Sequence, residues 1–93
     1  MFRLWAKIWK DNHMMKDITI ENASKELTRT KKVLAAVEEV SYAFDLGKPI
    51  WLEVNIAEFK KSARTRFRRD NFIEEVDFDY LEILMIEENE AEE

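Results

Sequence analysis

The chain has 93 residues, of which 46% are hydrophobic and 38% charged, with no cysteine and a formal net charge of −5. This length fits one domain, and the composition predicts a globular protein, not a disordered or membrane-spanning one. The lack of cysteine excludes a disulfide scaffold and a thiolate metal site, and with no signal peptide visible it predicts a cytoplasmic protein.

Residues 1–10, MFRLWAKIWK, fit two periodicities. On a helix, Arg3 and Lys7 lie opposite the apolar residues, which is typical of a membrane-surface helix. As a strand, the segment can pair with residues 14–22 across a loop at 11–13, and one register makes both faces compatible. That register pairs Leu4 with Ile20, Ala6 with Ile18, Lys7 with Asp17, Arg3 with Glu21, and Trp9 with Met15. We therefore expect a β-hairpin, and a membrane-surface helix is the alternative.

Apolar residues spaced by three and four predict a long helix from about residue 25 or 28 to residue 45. Ser24 or Thr28 can cap its start. Gly47, the only glycine, stands where a left-handed C-terminal cap is expected, and Pro49 prevents continuation. The apolar stripe consists of Leu27, Thr30, Val33, Leu34, Val37, Val40 and Phe44.

A second, shorter helix is predicted from Asn55 to about Ser62. Glu58 stands three residues after Asn55, as a capping box requires, and Val54 with Phe59 have the spacing of a hydrophobic staple. The segment that follows, 63–72, is predicted to be extended or turn-like.

Residues 76–86 predict the last strand. The apolar pattern changes parity there, which indicates either a bulge near Tyr80–Leu81 or a strand that is apolar on both faces. The predicted order is β-β-α-α-β, an α+β fold in which a small, mainly antiparallel sheet packs on one long helix. Residues 1–86 form the domain, and 87–93 an acidic, flexible tail.

Three segments together resemble a group of short bacterial proteins with no assigned activity. They are FDLGKPIWL (44–52), DNFIEEVDFDYLEI (70–83) and LWAKIWKDN (4–12). The resemblance covers most of the chain and implies a cytoplasmic bacterial protein. It implies no activity, because none of these segments is a catalytic motif.

The hairpin register sets Trp5, Trp9 and Met15 together on the sheet face away from the long helix. We expect this face either to be covered by the short helix and residues 63–72, or to form an exposed patch for a protein partner. Trp, Tyr and Met are favoured in interface cores, so a homodimer is a specific hypothesis. The predicted contact centre is Trp5, Trp9 and Met15, rimmed by Arg3, Lys7 and Asp17 and extended by Leu81, Ile83 and Met85.

Six basic residues with no acidic residue among them form a second candidate site: Lys60, Lys61, Arg64, Arg66, Arg68 and Arg69. Such a cluster could bind nucleic acid, with Phe67 available for stacking. The acidic stretch 70–82 is the expected intramolecular partner, because every base of the chain lies in residues 1–69. Nucleic-acid binding is therefore the alternative function, and an acidic protein partner remains a third reading.

The sequence offers little for catalysis. His13 is the only histidine, and it has no serine or cysteine nucleophile in a recognisable context. Glu75, Asp77 and Asp79 alternate and could hold Mg²⁺ or Ca²⁺, but the same pattern is common on half-exposed strands. We therefore expect no enzyme, no cofactor, no metal and no small-molecule substrate.

Overall fold

The computed structural model describes residues 1–87. Its four strands form one antiparallel sheet in the order β2-β1-β4-β3. The elements are β1 (Phe2–Lys10), β2 (His13–Asn22), α1 (Arg29–Ala43), α2 (Glu53–Ser62), β3 (Arg64–Arg68), a 3-10 turn (Arg69–Asn71) and β4 (Tyr80–Glu87). This confirms the α+β fold and adds one strand, because the segment predicted to be extended contributes β3. None of the helices within residues 1–87 has the length and apolarity needed to cross a membrane.

The β1–β2 hairpin has the predicted register from Phe2 to Ile8, so the alternative of a membrane-surface helix is wrong. The register then shifts, and Trp9 lies opposite Met14 instead of Met15. The predicted three-residue loop is a two-residue turn, in which Asp11 and Asn12 have positive φ angles of 52° and 67°. This mirror-image turn matches the twist of the strands, and the one-residue shift is taken up as a bulge at Met15.

Helix α1 begins as predicted, with the Thr28 hydroxyl accepting a hydrogen bond from the Lys31 amide at 3.2 Å. Its C-terminal end differs from the prediction. The residue with positive φ is Asp45, at 58°, and Gly47 does not have a positive φ. A side chain at position 47 would instead meet Glu74 Oε1, 2.8 Å from the position of its Cβ atom. Glu74 is exposed and this oxygen is the end of its flexible side chain, so Gly47 is neither the left-handed cap nor a position at which close packing demands glycine.

Helix α2 begins two residues earlier than predicted, at Glu53. Asn55 is not the residue before the helix but lies buried inside the first turn, where its Oδ1 accepts a hydrogen bond from the Leu52 amide at 3.0 Å. The predicted staple is absent, because Val54 is exposed. The side chain of Asn55 therefore reaches back to the residue that precedes the helix. The sequence pattern of an N-terminal cap, a polar residue just before an apolar run, does not reveal this role.

The core lies between one face of the sheet and the two helices. Its largest fully buried side chains include Phe2, Phe67, Leu81 and Ile83. Strand β4 begins at Tyr80, later than predicted, and its register shift lies opposite Arg3–Leu4, not near Tyr80.

The last strand includes the first residue of the segment that was predicted to be an acidic tail. Glu87 belongs to β4, and its carboxylate lies 3.4 Å from the Arg3 guanidinium. Residues 88–93 of the predicted tail lie outside the described part of the chain.

Candidate functional site

The sheet face away from α1 and α2, which we call the open face, is built from alternate residues of all four strands. Helix α2 does not cover it, because Asn55 of α2 bonds to Thr65, which points to the core side of β3 with Phe67. The reading in which α2 and residues 63–72 cover the tryptophans is therefore wrong. The open face consists of Met14, Asp17, Thr19 and Glu21 of β2, Arg3, Trp5, Lys7 and Trp9 of β1, Tyr80, Glu82, Leu84 and Glu87 of β4, and Arg64, Arg66 and Arg68 of β3.

Glu82 is the centre of the open face, with only 6% of its side chain exposed. Its carboxylate lies 3.4 Å from Lys7 Nζ and 3.5 Å from Arg66 Nε, and it accepts a hydrogen bond of 3.1 Å from the indole nitrogen of Trp9. Three donors compensate the cost of burying this charge. Lys7 was expected to pair with Asp17. That residue lies opposite Lys7 in the register, but the ion pair is made across the other neighbouring strand.

The aromatic rings of the open face are held by cations and hydrogen bonds. Lys7 Nζ lies 4.0 Å from the centre of one Trp5 ring, and the Arg66 guanidinium lies 4.7 Å from that of Tyr80. The Trp5 indole donates to Asp17 at 2.8 Å, and Trp9 stacks on Tyr80 with ring centres 6.4 Å apart. Such cation–π contacts and bonds fix the rings in position while leaving them half-exposed.

The structure brings together five of the six residues predicted for the tryptophan site. Arg3 lies at one end of the face and pairs with Glu21 at 3.2 Å, as predicted. Met15 does not contact this centre in the predicted way, because it lies in the bulge with 57% of its surface exposed. The proposed extension was wrong: Leu81 and Ile83 are completely buried, and Met85 packs against the core.

The basic cluster, continuous in sequence, divides among three places. Lys60 and Lys61 lie in the last turn of α2, and Arg64, Arg66 and Arg68 lie on the open face. Arg69 turns toward the acidic segment, where it donates to the Phe78 carbonyl at 2.9 Å and lies 3.4 Å from Asp79. The expectation that the acidic stretch neutralises these bases is confirmed for Arg66 and Arg69.

Two of the alternating carboxylates, Asp77 and Asp79, contact the end of the β1–β2 hairpin. Asp77 pairs with Lys10 at 3.1 Å, and Asp79 accepts a hydrogen bond from the Asp11 amide at 2.8 Å. Within residues 1–87, no three acidic or histidine side chains are grouped to hold a metal ion. His13 is the exposed first residue of β2 and not a loop residue.

A groove between α1 and α2 was missed by the sequence analysis. It encloses about 320 Å³. The sequence signal for it is the apolar run from Ile50 to Ile56, of which Trp51 and Ile56 line the groove. The groove is lined by Arg29, Thr30, Val33, Leu34, Trp51, Ile56, Phe59 and Lys60.

No family model, no curated protein and no solved structure matches the chain. The geometry of the open face is therefore the basis on which a function can be proposed.

Proposed function

We propose that this protein is a non-enzymatic binding module that docks a protein partner on its open face. The observation that supports this best is the combination of Trp5, Trp9 and Tyr80 on one uncovered surface, interleaved with arginine and lysine side chains. Tryptophan, tyrosine and arginine are the residue types that carry most binding energy in protein interfaces.

The internal bonds of these side chains also favour binding. Lys7 and Glu82 are already ordered by their ion pair, and the Trp5 indole by its hydrogen bond to Asp17. A partner therefore meets side chains that have little rotamer freedom left to lose, and association costs less entropy than it does for mobile side chains.

Nucleic acid is the competing ligand, because Arg64, Arg66 and Arg68 share the open face with the aromatic rings. Two observations favour protein. Lys7 and Arg66 lie over the rings of Trp5 and Tyr80, where a base would have to stack. The charges of the face also nearly balance: Arg3, Lys7, Arg64, Arg66 and Arg68 are opposed by Asp17, Glu21, Glu82 and Glu87.

Selection from a random peptide library tests the proposal, because peptides converge on surfaces with concentrated binding energy. We expect the selected peptides to protect Trp5 and Trp9 from hydroxyl-radical oxidation. We also expect them to lose at least tenfold in affinity for the variant Trp5→Ala/Trp9→Ala, a loss equivalent to about 1.4 kcal/mol. Tyr42→Ala is the matched control, because Tyr42 is an aromatic residue on α1 with 90% of its surface exposed. Circular dichroism checks that each variant folds.

Peptides that protect residues of the helical side, and bind both variants equally, would contradict the proposal. The nucleic-acid alternative is measured separately with a fluorescent single-stranded oligonucleotide at low ionic strength. Tight binding that weakens steeply with salt, and that Arg66→Gln/Arg68→Gln reduces, would establish that alternative instead.

A further inference from the structure

The open face carries charges in rows that run across the four strands. The register sets Asp17, Lys7, Glu82 and Arg66 side by side, in this order from β2 to β3. The signs alternate along the row, so it begins with an acid at the β2 edge and ends with a base at the β3 edge. If a second identical row is laid over it in the reverse order, every acidic residue lies opposite a basic one.

We infer that the partner is a second copy of this chain, stacked face to face about a twofold axis parallel to the strands; this rests on the proposed function of the open face. That axis sets β2 of one copy over β3 of the other. Asp17 then faces Arg66 of the second copy, and Lys7 faces Glu82 of the second copy. A twofold axis in the plane of the interface but at right angles to the strands would instead set β3 of one copy over β3 of the other. The arginines of the two copies would then repel each other, which disfavours that arrangement.

The flanking rows agree with the same axis. Trp5 and Leu84 are neighbours in one row, and Trp9 and Tyr80 in another. Reversing these rows brings Trp5 over Leu84 of the second copy and Trp9 over Tyr80 of the second copy. These two rows lie on either side of the central Lys7–Glu82 row, so apolar and aromatic contacts flank the charge pairs of the contact.

The size of the face indicates the class of interface to which the dimer belongs. Four strands spaced by ~4.8 Å, with four rows of side chains ~6.8 Å apart, cover on the order of 500 Å² in each copy. The total of about 1,000 Å² is near the lower limit for specific interfaces. We therefore expect a dimer that dissociates in the micromolar range and exchanges copies readily.

Charge substitution at the two edges tests the arrangement. Thr19 and Arg64 are exposed, occupy the two ends of the Trp5–Leu84 row, and lie outside the Lys7–Glu82 ion pair. In the dimer Thr19 faces Arg64 of the second copy, and the twofold axis produces this contact twice. Thr19→Arg therefore places an arginine opposite Arg64 in both contacts. We expect sedimentation velocity to give a dissociation constant at least about tenfold higher than that of the wild type. Tyr42→Arg, with the same added charge on α1, leaves it unchanged.

Mixing supplies the decisive measurement. Arg64→Glu alone sets a carboxylate over the uncharged Thr19 of the second copy and therefore introduces no like-charge pair at that position. Thr19→Arg mixed with Arg64→Glu places an arginine over a glutamate, and native mass spectrometry should show the heterodimer in preference to the Thr19→Arg homodimer. Asp17→Arg, a second and independent edge variant, should also weaken the homodimer.

A protein that sediments as a monomer into the high micromolar range would overturn the inference. A dimer that Thr19→Arg and Asp17→Arg leave intact would overturn it as well, and would assign the contact to another surface. Either result leaves the proposed function standing if selected peptides still protect Trp5 and Trp9, so the two failures are distinguishable.

Discussion

The two faces of this sheet present the same backbone to different surroundings. On the covered face, Phe67 and Leu81 are fully buried against the helices and contribute through the apolar area they remove from water. On the open face, Glu82 is almost as deeply buried, but it is surrounded by Lys7, Arg66 and the indole of Trp9. Side chains of the same sheet are thus buried by apolar packing on one face and by charge pairing and hydrogen bonding on the other. The two kinds of buried residue are expected to respond differently to substitution.

The largest effect is expected at the centre of the covered face. Phe67→Ala removes a ring that is 0% exposed and lies edge-on to Trp51, with ring centres 5.0 Å apart. The cavity left behind should lower the free energy of unfolding by about 3–5 kcal/mol in urea denaturation. Tyr42→Ala, at the exposed side of α1, should change it by less than about 0.5 kcal/mol.

A somewhat smaller loss is expected for Asn55→Ala, at the junction of α2 with the sheet. Asn55 donates to Thr65 Oγ1 at 2.9 Å and to the Arg66 carbonyl at 3.0 Å. Its Oδ1 accepts from Leu52 and Asn71, so alanine leaves several buried groups without partners. We expect a loss of about 2–4 kcal/mol. An equally small effect of Asn55→Ala and of the neighbouring exposed Ile56→Ala would show that water replaces these bonds.

The open face is tested by comparing Glu82→Ala with Lys7→Ala. Removing Glu82 leaves Lys7, whose side chain is 13% exposed, without the carboxylate it pairs with. We expect a loss of about 2 kcal/mol in the free energy of unfolding. Lys7→Ala should cost less, because Glu82 keeps Arg66 and Trp9 as partners. Equal losses in the two variants would contradict the central position of Glu82.

The smallest expected effect has the opposite sign and lies where α2 meets β3. Ala63 ends α2 in the left-handed conformation, with φ 57° and ψ 30°. Glycine adopts this conformation without the steric cost of a Cβ atom. Ala63→Gly should therefore raise the free energy of unfolding by roughly 0.5–1 kcal/mol, which thermal denaturation detects as a higher midpoint temperature. Ala57→Gly, in the middle of the same helix, is the matched control and should destabilise by a similar amount.

The hairpin was predictable because each strand residue has to suit two constraints, its cross-strand partner and its face. Only one register satisfied both between Phe2 and Ile8. The prediction failed at Trp9, where the length of the turn decides the pairing. Asp11 and Asn12 tolerate left-handed backbone well enough to close the hairpin with two residues, and composition alone does not distinguish two from three.

Strand β3 and the role of Asn55 lay beyond the sequence for another reason. The alternation of Arg64, Thr65, Arg66 and Phe67 is typical of a half-buried strand, but β4, with which it pairs, follows after a long connection. Asn55 fits a helix cap in sequence, whereas its burial follows from where α2 docks on β3. Each feature depends on tertiary placement, which local spacing does not determine.

The strand order has a consequence for biosynthesis. Strand β4 is translated after β1, β2 and β3, yet it occupies the interior position between β1 and β3. In a nascent chain that still lacks residues 80–87, the β1–β2 hairpin and the segment Arg64–Arg68 have no strand between them to pair with. The nonlocal pairing of β1 with β4 cannot form before residues 80–87 have left the ribosomal exit tunnel, so the sheet is expected to close late and comparatively slowly for its size.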